Sequence, residues 1–236
     1  GNEHSSFDKV APDAAVRRAQ AGQGRFELLA YKSSLNHQDI VVGVYTPPGY
    51  EASQRRYPAI YNLHGAGGGS PTRQWQRAGS TLVEAITTHK IPSLIYVFVN
   101  GLGDTFYIDY LQRGVDSNEA AKPRDPLAFT AAPQIESSIM HELIPHIDSQ
   151  YRTIANRDGR AVDGFSMGGA GALMLAMKHS DQFSSVVSYG AALIQMREGD
   201  SARDSLRWPT LAHFNQFSAW GALNQNADQV RNTLRI

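Results

Sequence analysis

The chain has 236 residues, 42% of them apolar, which suits one large domain with a sizeable core better than two domains. Lysine plus arginine and aspartate plus glutamate each total 22, a formal net charge of zero, so the basic excess typical of a nucleic-acid partner is missing. Cysteine is absent, which excludes disulfides, cysteine nucleophiles and thiolate metal sites, and no apolar run approaches the roughly 18 residues that a membrane span needs.

In chain order, residues 1–24 are polar and rich in alanine and glycine, and read as a tail or a short leading helix. Gly1 to Ser6 carry neither a basic nor an apolar leader region. The protein is therefore cytoplasmic, or its leader is already removed; the second reading, secreted or periplasmic, is preferred. Residues 25–236 read as one domain. Segments 26–31 and 40–45 are apolar strands separated by Asn36-His37-Gln38-Asp39, the pattern of an antiparallel edge hairpin. Segment 57–63 is a further strand, 80–89 has helical spacing, and 93–99 is a continuous apolar run expected of a strand buried on both faces. Segment 135–151 predicts a long helix kinked at Pro145. A short strand at 161–165, a helix at 168–179 and a strand at 183–189 follow. Such alternation builds a mainly parallel sheet with helices on both faces and antiparallel N-terminal edge strands.

Two segments carry chemistry. Gly164-Phe165-Ser166-Met167-Gly168 satisfies G-x-S-x-G between an apolar strand and a helix. There a strand must turn sharply into a helix, which exposes the serine and demands small residues on either side. The helix N-terminus then favours developing negative charge. A glycine-rich turn of a nucleotide-binding fold is the alternative. The second segment, His64-Gly65-Ala66-Gly67-Gly68-Gly69, also ends an apolar strand and can turn backbone N–H groups towards a substrate carbonyl. A phosphate loop is the alternative there, but no G-K-[ST] follows and G-x-G-x-x-G is not matched.

Val44-Tyr45-Thr46-Pro47-Pro48-Gly49-Tyr50, the run from Tyr57 to Gly65, Glu142-Leu143-Ile144-Pro145-His146, and the run from Arg160 to Gly169 stand in one order. Together they resemble the esterase D-like family, which includes feruloyl and acetylxylan esterases of carbohydrate esterase family 1 and enterochelin-type esterases. The resemblance implies an α/β-hydrolase fold, Ser166 as nucleophile, and an oxyanion hole built from the N–H groups of Ala66 and Met167. It implies no cofactor and no metal, and a small-molecule or polysaccharide-linked ester, feruloyl or acetyl, as substrate. An acyltransferase, or a non-catalytic binding protein on the same scaffold, is the alternative.

The family places an acid and then a histidine after the serine. Here only His179 and His213 follow Ser166. His179 falls about three helical turns away, roughly 15 Å or more from the serine, and His213 is expected to be a cleft or surface histidine. Asp228 falls on a predicted helix and suits the acid role poorly. Residues 233–236 resemble the start of the strand preceding that acid, so further C-terminal strands carrying acid and base are expected beyond Ile236. Among smaller expectations, the loop 100–109 lines an acyl pocket with Phe106 and Tyr107 or is an ordinary surface loop. Trp75, Trp208 and Trp220 form a sugar platform or belong to the core. His141 and His146, five apart, do not have the spacing of a metal pair.

Overall fold

The computed structural model describes residues 7–10, 22–68, 70–110, 132–194 and 210–235. Seven strands form one sheet among them: β1 (Phe7–Val10), β2 (Arg25–Ser33), β3 (Gln38–Thr46), β4 (Ala59–Leu63), β5 (Ile95–Val99), β6 (Arg160–Phe165) and β7 (Ser185–Tyr189), in the order β1-β2-β3-β5-β4-β6-β7. The first three strands and the β3–β5 pair are antiparallel; β5, β4, β6 and β7 run parallel. β1 corrects the expectation of a tail or leading helix at residues 7–10, which instead pair with Leu28 to Tyr31.

Alternation along the strands sends side chains to two cores. Tyr61, Leu63, Val97, Val99 and Val162 join the larger one, which is covered by α4 (Met167–Lys178), α6 (Ala219–Thr233) and the helical segment 135–150. Phe98 joins the smaller one with Phe26 and Tyr45, beneath α1 (Pro71–Thr87). β5 thus has buried side chains on both faces, as its apolar run predicts.

α1 begins nine residues earlier than its apolar periodicity suggests. Ser70 caps it, its hydroxyl accepting from Arg73 N, and Pro71 takes the first turn, where a missing N–H costs nothing. The predicted helix 135–151 is divided into α2 (Ile135–Ser138), a π-helical turn (Ile139–Leu143) and α3 (Ile144–Gln150). Pro145 has no N–H to return to the preceding turn, and the wider π-turn accommodates it, with Ile144 N–H bonding back to Ile139 O. α5 (Leu211–Phe217) and α6 follow; Arg235 then pairs in parallel with Ser185 of β7. Among the described residues no helix is long and apolar enough to cross a membrane.

Candidate active site

Register brings the site together. Leu63 stands beside Val99 on one side and Gly164 on the other, so β4, β5 and β6 end at one level. The loops leaving them meet at the carboxyl edge of the parallel strands, where ligands bind in such sheets.

Ser166 occupies the turn from β6 into α4 with φ 55° and ψ −115°. A non-glycine residue held there carries backbone strain that its surroundings must overcome. They do so through hydrogen bonds: Ser166 N donates to Tyr189 O at 2.9 Å, and Ser166 O accepts from Ala192 N at 3.0 Å and Ala170 N at 3.1 Å. Close packing completes the constraint. A Cβ on Gly164 would strike the Gly168 carbonyl, and one on Gly168 would strike the carbonyl of Leu63. These glycines let α4 start directly against the end of β4.

The second segment lies against this turn. A Cβ on Gly65 would stand 3.4 Å from Ser166 Cβ and 3.0 Å from the Phe165 ring. Gly68 N donates to Gly65 O at 2.9 Å, closing a β-turn with Gly67 at φ 66°. Ala66 is exposed at the tip of that turn, and Met167 opens α4 with its side chain buried. The first N–H groups of a helix have no partner within it. Gly69 lies outside the described residues.

The loop after β5 holds this turn. Gly101 N donates to His64 Nε2 at 3.2 Å, which makes Nδ1 the protonated nitrogen; Nδ1–H donates to Gly65 O at 2.8 Å. Burial keeps the imidazole below its usual pKa, so His64 is neutral. Gly67 N donates to Asp104 Oδ1 at 2.8 Å. On the other face of the sheet, three residues before Ser166, Asp163 accepts from Asn62 Nδ2 at 2.8 Å and from the Tyr96 hydroxyl at 2.6 Å. Burial pushes that carboxyl above the usual range.

Beside the first turns of α4 lies a pocket lined by Phe106, Ala170, Met174, Leu193, Phe217 and Trp220. Phe106 is among its lining residues, whereas Tyr107 is not. Tyr107 is fully buried, with its hydroxyl on His64 O. Trp75 stacks on Phe26 in the smaller core and forms no platform, Trp220 is 40% exposed at the pocket, and Trp208 lies outside the described residues.

The histidines after Ser166 point elsewhere. His179, at the far end of α4, pairs with Glu136 at 2.8 Å beside Lys178. His213 is buried rather than a cleft or surface residue. Its Nε2–H donates to Asp109 O at 3.0 Å, and its ring packs on Phe217. Asp228 is exposed on α6, near Arg231. Sequence reasoning placed Tyr107 at the pocket rather than in the core, and missed the Asn62–Asp163–Tyr96 cluster, for which polar residues inside apolar strands were the available signal.

A family model described as "Putative esterase" matches residues 33–233. Among curated proteins, an esterase of Mycobacterium tuberculosis is 33% identical over 148 residues, covering 63% of this chain and 28% of that protein. An endo-1,4-beta-xylanase/feruloyl esterase of Xylanibacter ruminicola is 28% identical over 176 residues, covering 66% and 22%. The chain thus spans about a quarter of the length of these relatives. Among solved structures, a ferulic acid esterase superposes with a TM-score of 0.62 at 23% identity, over 81% of this chain and 69% of that one. The likeness gives the chain the α/β-hydrolase fold.

Proposed function

Because the chain belongs to the family described as "Putative esterase", we propose that it is a serine carboxylic ester hydrolase working through an acyl-serine intermediate. The observation that carries this reading is the strained turn at Ser166, packed directly against the turn that bears Ala66. Ser166 Oγ attacks the ester carbonyl. The N–H groups of Ala66 and Met167 receive the resulting oxyanion, with the start of α4 adding its dipole. The alcohol leaves, and water then cleaves the acyl-serine to release the acid. Attack requires a base for the serine proton. His64 has both ring nitrogens bonded within its own turn, while His179 is held by Glu136 at the far end of α4 and His213 is buried with Nε2–H on Asp109 O, so we assign the base to a different residue.

Feruloyl or acetyl esters of plant polysaccharide are the proposed substrates. Aromatic Phe106, Phe217 and Trp220 around the pocket suit a planar aromatic acyl group, and one relative carries feruloyl esterase in its name beside a xylanase. A polysaccharide substrate in turn favours a secreted or periplasmic enzyme.

The test is a fluorophosphonate probe applied to the full-length protein and to Ser166→Ala, followed by hydrolysis of 4-nitrophenyl ferulate and 4-nitrophenyl acetate. The expected result is labelling at Ser166 alone, with hydrolysis falling by at least about 10³-fold in the variant. An unlabelled wild-type protein, or a variant that still turns over, overturns the assignment. Faster turnover of 4-nitrophenyl acetate than of 4-nitrophenyl ferulate, which share a leaving group, would shift the substrate to acetyl groups.

A further inference from the structure

Phe106 and Tyr107 are consecutive non-glycine residues with φ of 55° and 61°. Each such residue carries backbone strain that persists only where the surroundings outweigh it. The pair sends neighbouring side chains to different places. Phe106 lines the pocket beside α4, while Tyr107 turns into the core and is fully buried.

The tyrosine ring sits where two glycines leave room, since a Cβ on Gly101 or on Gly171 would stand 2.7 Å from it. Thr105 fixes the approach: its hydroxyl donates to Gly101 O at 2.6 Å and accepts from Tyr107 N at 3.3 Å. The phenol donates to His64 O at 3.0 Å, and its ring meets the imidazole edge-on at 5.7 Å. One loop therefore grips residues 64–67 at three points: the His64 carbonyl through Tyr107, His64 Nε2 through Gly101, and Gly67 N through Asp104.

We propose that Tyr107 is a positioning residue for ester hydrolysis, setting through the His64 carbonyl the place of the peptide that presents the Ala66 N–H. The proposal rests on the reading of Ala66 as an oxyanion donor. Such donors act only when aimed at the position the oxyanion will take, so a turn left to drift loses transition-state stabilisation without losing the fold. The strained dipeptide also joins the pocket wall to this turn, because Phe106 and Tyr107 cannot move separately.

Tyr107→Phe keeps the ring and deletes the bond. The expected result is a fall of about tenfold or more in both kcat and the rate of fluorophosphonate labelling, with KM within about twofold. Amide hydrogen exchange at residues 65–68 should quicken by about tenfold, while β5 and α4 keep their protection. Thr105→Val, which frees the Tyr107 backbone, should reproduce the pattern more weakly. Wild-type labelling and exchange in both variants overturn the proposal. So does faster exchange spread evenly over β4, β5 and α4, the mark of a purely structural tyrosine. If the wild-type protein itself is not labelled, the nucleophile assignment fails, and loop exchange in Tyr107→Phe still decides whether the phenol holds the turn.

Discussion

On the α4 side of the sheet, Leu63, Val99 and Val162 are almost completely covered, whereas on the opposite side Phe165, Val187 and Tyr189 remain 64%, 46% and 58% exposed. Both sets belong to the parallel strands β4 to β7 that surround the turn at Ser166. On the covered side, main chain meets main chain through Gly164 and Gly168, and α4 is anchored along almost its whole length. On the other side the strands are joined by the Asn62–Asp163–Tyr96 hydrogen bonds, and apolar side chains flank them in the open. Parallel strands are ordinarily buried on both faces. The geometry at Ser166 is thus secured from one side, and the difference between the faces can be measured.

The largest effect should come from Gly168→Ala. Its Cβ meets backbone, which cannot move aside without parting α4 from β4. A loss of about 4 kcal/mol or more in urea denaturation is expected, with loss of probe labelling. Val162→Ala should cost about 2–3 kcal/mol, and Val187→Ala, one strand away on the other face, less than about 1 kcal/mol. Equal costs for the two valines would break the comparison, since Val187 would then be as well packed as Val162.

The smallest effects should lie in pH dependence, and the two sites should differ in sign. Burial lowers the pKa of His213, which packs on the helical side. The unfolded chain takes up a proton below about pH 6.5 that the native state refuses, so the wild-type protein loses stability as pH falls. His213→Phe should therefore gain on wild type between pH 7 and 5. Burial raises the pKa of Asp163, so its native carboxyl takes up a proton at higher pH than the unfolded one. Asp163→Asn should lose ground to wild type as pH falls from 7 towards 4. Chemical denaturation across that range reads both slopes.

Much of this architecture was legible from residues alone. The apolar runs of β2 to β7 stood out, and G-x-S-x-G between strand and helix located the turn at Ser166. β1 was hidden because four residues in a polar stretch carry almost no periodicity, and their pairing is decided by β2. The first half of α1 is polar, and only the Ser70-Pro71 cap announced it. The opposite fates of Phe106 and Tyr107 depend on two left-handed backbones, which no side-chain pattern encodes. The burial of His213 likewise depends on where α5 docks, a long-range matter.

The π-turn at Ile139–Leu143 fixes an angular phase. It inserts about one residue, or about 100° of rotation, between α2 and α3. On one side of it Glu136 receives Lys178 and His179; within it Glu142 accepts from Ser33, Ser34 and Leu35 at the β2–β3 turn. Both carboxylates find their partners only in that phase. Deleting a single residue there would straighten the helix yet swing one carboxylate away from its partners. This segment therefore tolerates substitution far better than a change in length.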